Sequence, residues 1–221
     1  MPGAVLKRRR KASGTAPTNE EEEALHSQGY SLVAGLDEVG RGPLAGPVVA
    51  GVVVLPPSPQ GPWVGLIRDS KQMTPNQREA VLPYLHDEAL GIETGAASHV
   101  EIDELGIVAA TRLAMQRALD SLALRPQFLL LDAFPLPNVP IPQKPIIRGD
   151  SLCLSIAAAS VIAKTTRDRL MVEQDALYPS YAFARNKGYA TREHLHNLRA
   201  LGPCPIHRYS FAPVTNWLAP R

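Results

Sequence analysis

The apolar positions of this chain fall into short blocks closed by charged or glycine-containing corners. Ser31 to Val39 is largely apolar until Asp37-Glu38 and runs into Gly40-Arg41-Gly42, the pattern of a strand and its turn. Val48 to Leu55 is a valine-rich block with the length of a buried strand. The short link between them favours an antiparallel pair. Leu90 to Ala97 reads as a third strand and Phe128-Leu129-Leu130-Leu131 as a fourth that ends at Asp132. Ile146-Ile147 reads as a short fifth.

Between these blocks the spacing turns helical. Thr74-Pro75-Asn76-Gln77 combines a cap, a proline at the first helical position and a glutamine that completes a capping box, so a helix is predicted to about Asp87, able to kink at Pro83. Ile107 to Leu124 is the strongest helical pattern, with Val108, Leu113, Met115, Leu119 and Leu122 marking its apolar face. Asp150 stands where it would cap a helix from Ser151 to about Asp175, and another helix is expected after Thr191. Pro56 to Pro62 and the proline-rich stretch 135–145 read as loops. Strands that begin antiparallel and later join through a helix predict an α/β fold, a mixed sheet with helices packed on it.

Composition narrows the class. The chain has 221 residues, 45% of them apolar and 20% charged, which suits one globular domain with its own core. Residues 1–24, with Lys7-Arg8-Arg9-Arg10-Lys11 and Glu20-Glu21-Glu22-Glu23, read as a disordered tail; residues 25–221 read as the domain. Pro43 to Ile67 is uncharged but interrupted by prolines, which excludes a spanning helix. No apolar segment follows the basic run, and the two cysteines, Cys153 and Cys204, form no C-x-x-C pair, so neither a secretory signal nor a disulfide framework is expected and a cytoplasmic setting fits. Residues 25–143 carry 7 basic and 12 acidic side chains, whereas residues 144–221 carry 11 basic and 5 acidic. That split suits either pairing across a solvated surface or a carboxylate site beside a polyanion-binding face.

Four acidic positions carry the candidate chemistry. Asp37 and Asp132 each close an apolar strand, at the end where open α/β sheets place ligands. With Glu38 and Asp150 they form an oxygen donor set suited to Mg²⁺ or Mn²⁺. Asp37 and Glu38 are neighbours, so on a regular strand they point to opposite faces. Both serve one site only if the strand is distorted or if one contributes a backbone oxygen. Gly40-Arg41-Gly42 offers free N–H groups. Lys71, in Asp69-Ser70-Lys71, is placed either to meet a phosphate or to lie in solvent. Ser160, Lys164 and Asp168 share one helix face, either holding a phosphate or forming the solvated side. Tyr189, beside Arg185 and Lys187, is an aromatic in a basic segment, able to stack or simply to pack. There is no H-E-x-x-H, no G-x-x-x-x-G-K-[ST] and no G-x-S-x-G.

Taken in order, Gly35-Leu36-Asp37-Glu38-Val39-Gly40-Arg41-Gly42-Pro43-Leu44-Ala45-Gly46-Pro47-Val48, Asp69-Ser70-Lys71, the strand ending at Asp132, Gly149-Asp150-Ser151 through Lys164, and Gly188-Tyr189-Ala190-Thr191-Arg192-Glu193-His194 resemble bacterial ribonuclease HII, the type 2 ribonuclease H, over roughly residues 30–210. The resemblance implies a ribonuclease H-like sheet flanked by helices with a C-terminal helical extension. It implies metal-dependent cleavage, with Mn²⁺ or Mg²⁺, of RNA in RNA–DNA hybrids and on the 5′ side of ribonucleotides embedded in DNA. By position, Asp37, Glu38, Asp132 and Asp150 match the family's catalytic carboxylates. Gly40, Arg41 and Gly42 match its 2′-hydroxyl sensor, and Tyr189 matches its sugar-stacking tyrosine. The related type 3 enzyme differs at Gly40-Arg41-Gly42. A DNA-junction nuclease of the same fold is the alternative. A monomer without membrane contact is the default expectation.

Overall fold

The computed structural model describes residues 16–218. Its centre is a five-stranded sheet of β1 (Val33–Val39), β2 (Val48–Val54), β3 (Gly91–Ala97), β4 (Phe128–Asp132) and β5 (Gln143–Ile146), in the order β3-β2-β1-β4-β5. β2 is antiparallel to both β1 and β3, and β1, β4 and β5 run parallel. The mixed sheet expected from the strand order is therefore present. β5 begins three residues earlier than the Ile146-Ile147 block suggested, inside the supposed proline-rich loop. As an edge strand it tolerates Pro145, whose missing N–H breaks no inner ladder.

Helices cover both faces. α1 (Glu20–Ser27) precedes the sheet, and α2 (Pro62–Leu66) and α3 (Pro75–Glu88) follow β2. α4 (His99–Leu105) and α5 (Ile107–Ser121) lead to β4, and α6 (Leu154–Leu177) follows β5. The C-terminal extension holds α7 (Phe183–Asn186), α8 (Arg192–Leu201) and α9 (Ala212–Leu218). The capping box at Thr74 and Gln77 is formed as the sequence predicts. A second one, Ser98 with Glu101, starts α4, an element the apolar pattern did not reveal.

The pleat sorts the core. Ala34 and Leu36 of β1 and Leu129 and Leu131 of β4 pack on the α5 side with Met115 and Ala118. Val33 and Leu130 face α6 with Ile156. The buried face of α5 is Ala110, Thr111, Ala114, Met115, Ala118 and Leu119, whereas Val108, expected inside, is exposed. The face is built of small residues because α5 lies close on β3: a methyl group at Gly95 would overlap the Ala114 and Ala118 backbone. α6 lies equally close on β1, where a methyl at Gly35 would overlap the Ser155–Ile156 peptide.

Two expectations about the chain's first part and about α6 are corrected. The tail does not extend to residue 24. Thr18 N–H donates to the Leu152 carbonyl, the Leu154 N–H donates to Thr18, both at 2.9 Å, and α1 follows. Glu22, read as part of a solvated acidic run, is buried and accepts from the Ser155 N–H at 2.7 Å and the Cys153 thiol at 3.0 Å. Lys7 to Lys11 lie outside the described residues. Asp150 does not cap α6: the cap position is Cys153, and Asp150 sits in a single 3₁₀ turn, Gly149–Ser151. The carboxylate of Glu22, brought from far away in sequence, takes the place of the local cap. Among the described residues no helix is long and apolar enough to cross a membrane. Both cysteines are buried and free.

Candidate active site

The β1–β4 ladder brings two of the four carboxylates side by side. Leu36 pairs with Leu131, so the next residues, Asp37 and Asp132, lie adjacent at the ends of parallel strands. The alternation of the pleat turns both toward the α6 face. Asp132 Oδ1 accepts from the Gly149 N–H at 2.8 Å, which ties the turn carrying Asp150 to the same place. Asp37 and Asp150 are buried and Asp132 is half-buried. Two left-handed residues frame the site, Ala133 after Asp132 (φ 66°) and Arg148 before Gly149 (φ 60°). Non-glycine residues hold such angles only where surrounding contacts force them.

Glu38 approaches differently. The β1–β2 register is unbroken through Val39, so no local distortion turns Glu38 onto the face of Asp37. Its Oε1 accepts from Arg41 at 3.2 Å, while its Oε2 is buried without a partner. The Arg41 guanidinium also lies 5.2 Å over the Phe134 ring. Of the two routes the sequence left open, contribution through a backbone oxygen is the one compatible with this pleat.

The electrostatics describe a site short of positive charge. Burial, then the nearby charges of Glu38 and Asp132, push the Asp37 carboxyl well above the usual carboxylate range. Burial also raises Glu38, against the pull of Arg41. Asp132 is raised by burial and by Asp150, against the Gly149 hydrogen bond. Lys71 Nζ sits 3.3 Å from Asp150 Oδ2 and 3.9 Å from Asp69 Oδ1. Burial lowers the Lys71 pKa, but Asp37, Asp150 and Asp69 outweigh it and hold the ammonium more firmly protonated than usual.

Among the described residues no three His, Cys, Asp or Glu side chains form a ready-made metal cage. Mg²⁺ ordinarily needs none: one or two carboxylates, waters and the substrate's phosphates complete its shell. The crowded, buried Asp37 fits such a cation. Asp37, Asp132 and Asp150, with Glu38 at the rim, are the residues that would hold it.

The remaining candidates separate. Tyr189 is about half-exposed, and its Cε1 lies 4.0 Å from where a Cβ would stand on Gly42, so the glycine segment and the ring share one wall. Leu44 N–H donates to Gly188 O at 2.8 Å, joining the two segments. Ser160 is buried, and its hydroxyl is 2.7 Å from that of Ser70, where it braces the segment carrying Lys71. Lys164 pairs with Asp168 at 2.6 Å, and Asp168 also meets Arg78 at 3.2 Å. Sequence reasoning missed Phe134, Arg167 and Arg208. Both arginines are fully buried beneath the Gly40 to Pro47 segment. No periodic pattern marks a buried arginine, because its partners are scattered carbonyls.

Comparison with known proteins agrees with this fold. A family profile described as Ribonuclease HII matches residues 34–214. The chain is 52% identical over 194 residues to a ribonuclease HII of Dehalococcoides mccartyi, covering 88% of this chain and 92% of that one. It is 54% identical over 198 residues to one of Desulfitobacterium hafniense, covering 90% and 75%. Among solved structures, ribonuclease H2 from Pyrococcus horikoshii superposes with a TM-score of 0.69 at 27% identity, covering 84% of this chain and 96% of that one. A ribonuclease HIII crystallised with Mn²⁺ shares the fold, with a TM-score of 0.63 at 18% identity over 88% of this chain and 71% of its own. The chain thus belongs to the ribonuclease HII family and is a type 2 ribonuclease H.

Proposed function

We propose that this endoribonuclease hydrolyses the RNA of RNA–DNA hybrids and cuts on the 5′ side of single ribonucleotides embedded in duplex DNA, by two-metal-ion phosphodiester hydrolysis with Mn²⁺ or Mg²⁺. The observation that carries this reading is the shared wall. Gly42 lies against Tyr189, Arg41 reaches Glu38, and Asp37, Asp132 and Asp150 converge just beyond. A ribose held by the Gly40 to Gly42 segment would therefore lie next to carboxylates that bind divalent ions. Those ions, when bound, supply the charge that activates water and steadies the departing 3′-oxygen. The 2′-hydroxyl alone distinguishes RNA from DNA at a given sugar, and backbone N–H groups suit its recognition because they need no side-chain ordering. Tyr189 offers a half-exposed ring to the neighbouring sugar, and Lys71 a cation to the phosphate. The basic C-terminal part supplies a sequence-independent grip.

The test is an end-labelled DNA duplex with one ribonucleotide, incubated with Mg²⁺ or Mn²⁺, beside an all-DNA duplex and the Asp132→Asn protein. A single cut 5′ of the ribonucleotide, absent from both controls, is expected. Cleavage of long hybrids without that cut would remove the embedded-ribonucleotide activity. Cleavage of DNA junctions free of ribose would favour the junction-nuclease alternative.

A further inference from the structure

Arg208 is fully buried, yet among the described residues its guanidinium donates only to backbone carbonyls. Nη2 donates to Gly40 O at 2.6 Å and to Gly46 O at 2.8 Å. Nη1 donates to Arg41 O at 3.0 Å and Nε to Gly46 O at 2.9 Å. The Arg208 N–H donates to Leu44 O at 2.8 Å, and the Phe211 ring lies 5.0 Å from the guanidinium. Burial, followed by the charge of Arg167, lowers the Arg208 pKa to about 9, which still leaves it charged at neutral pH. Burying a cation is costly unless its donors are met. Here the loop carbonyls meet them.

This arrangement fixes more than the loop's position. The described peptides are trans, and in a trans peptide the C=O and N–H point in opposite directions. The Gly40 and Arg41 carbonyls point in at Arg208. The N–H groups sharing those two peptide planes, on Arg41 and Gly42, therefore point away from it. Neither has a protein acceptor among the described residues. The Tyr189 ring flanks Gly42. Two successive outward N–H groups beside an aromatic ring suit a hydroxyl or phosphate oxygen of a nucleotide.

We infer that Arg208 is a positioning residue: its planar fork turns the Gly40–Arg41 and Arg41–Gly42 peptides so that both N–H groups face the bound ribonucleotide. The inference rests on the proposed ribose recognition and adds the residue that sets its orientation. A lysine keeps the charge but cannot hold three carbonyls in one plane.

The experiment compares wild type, Arg208→Lys and Arg208→Gln in two readouts, with melting curves as the folding control. These are kcat/KM on the single-ribonucleotide duplex and affinity for an all-DNA duplex, which has no 2′-hydroxyl to sense. In folded Arg208→Lys, kcat/KM is expected to fall about tenfold or more while affinity for all-DNA duplex stays within about twofold. Wild-type kcat/KM in Arg208→Lys, or cleavage and DNA binding falling together, would overturn the inference. Should both variants unfold, amide exchange in ¹⁵N-labelled wild type decides. The Arg208 Nε–H should be protected and the Arg41 and Gly42 amides should exchange freely; protected Arg41 and Gly42 amides would overturn the inference. If wild type leaves the ribonucleotide duplex uncut, the functional reading falls, and the exchange pattern still decides the peptide orientation.

Discussion

His207 and His194 share a hydrogen bond, Nε2 to Nε2 at 3.0 Å, in a site closed to solvent. The surrounding partners assign its direction. His194 Nδ1 lies 2.9 Å from the Tyr189 carbonyl and so donates to it, which leaves its Nε2 as the acceptor. His207 Nε2–H donates to that nitrogen, and His207 Nδ1 accepts from the Cys204 N–H at 2.9 Å. Both rings are neutral in this arrangement, and the chain of bonds ends on the Tyr189 carbonyl.

Protonation breaks this chain, so acid should weaken the fold. Burial, then the neighbouring His194, pulls the His207 pKa down to about 4. An unfolded chain takes up this proton near pH 6.5, whereas the folded chain refuses it until near its own pKa. Stability should therefore fall as pH drops through that window, on the order of 3 kcal/mol from this residue. Urea midpoints at pH 7 and pH 4.5, for wild type and His207→Gln, measure it. A gap between the two proteins that does not change with pH would exclude this coupling.

Asp37→Asn should abolish cleavage and raise the metal-free melting temperature. The Asp37 carboxyl is held above its usual range by burial and by Glu38 and Asp132. Its charge thus costs stability once pH rises past the unfolded carboxylate pKa, about 3.9, and the amide removes that cost. Saturating Mg²⁺ or Mn²⁺ should narrow the difference, since the ion rewards only the carboxylate. A lower metal-free melting temperature in the variant would contradict the crowding of charge described here.

Tyr189→Ala should lower kcat/KM most on the duplex with one embedded ribonucleotide. The exposed ring beside Gly42 is the only part removed, and stacking on a nucleotide is worth about 1–3 kcal/mol. Side-by-side kinetics on a long hybrid give the comparison, and equal losses on both substrates would rule out junction stacking.

Glu22→Ala should destabilise the protein by about 1–3 kcal/mol, because the buried Ser155 N–H and Cys153 thiol lose their acceptor. Glu22→Gln keeps an acceptor oxygen and should recover much of the loss. Chemical denaturation of the three proteins measures the difference, and an unchanged midpoint in Glu22→Ala would mean that the docked N-terminal segment adds nothing.

The sheet was legible because β1, β2 and β4 are buried on both faces and read as unbroken apolar runs. Asp37 and Asp132 were legible for the same reason, since a charge that ends such a run is conspicuous. β5 was misplaced because Lys144 and Pro145 on an edge strand carry no apolar signal. Glu22 was misread because four consecutive glutamates look solvated; only the spacing to Leu25, which is also buried, hinted at a docked face. Asp150 fits a cap by local pattern, but a carboxylate 131 residues upstream of Cys153 holds the start of α6. Arg208 eluded the pattern because its partners lie more than 160 residues away in sequence.

The parallel pairing of β1 with β4 also sets when Asp37 and Asp132 can first meet. Asp37 and Asp132 become neighbours only when two strands some 95 positions apart dock, with β2, β3 and four helices folded between them. Contacts of such long range close late. A growing chain halted on the ribosome before Phe128 would hold Asp37 and Glu38 beside nothing that completes them. The carboxylate pair thus depends on pairing between distant strands, and it exists only once β4 has been made and has docked beside β1.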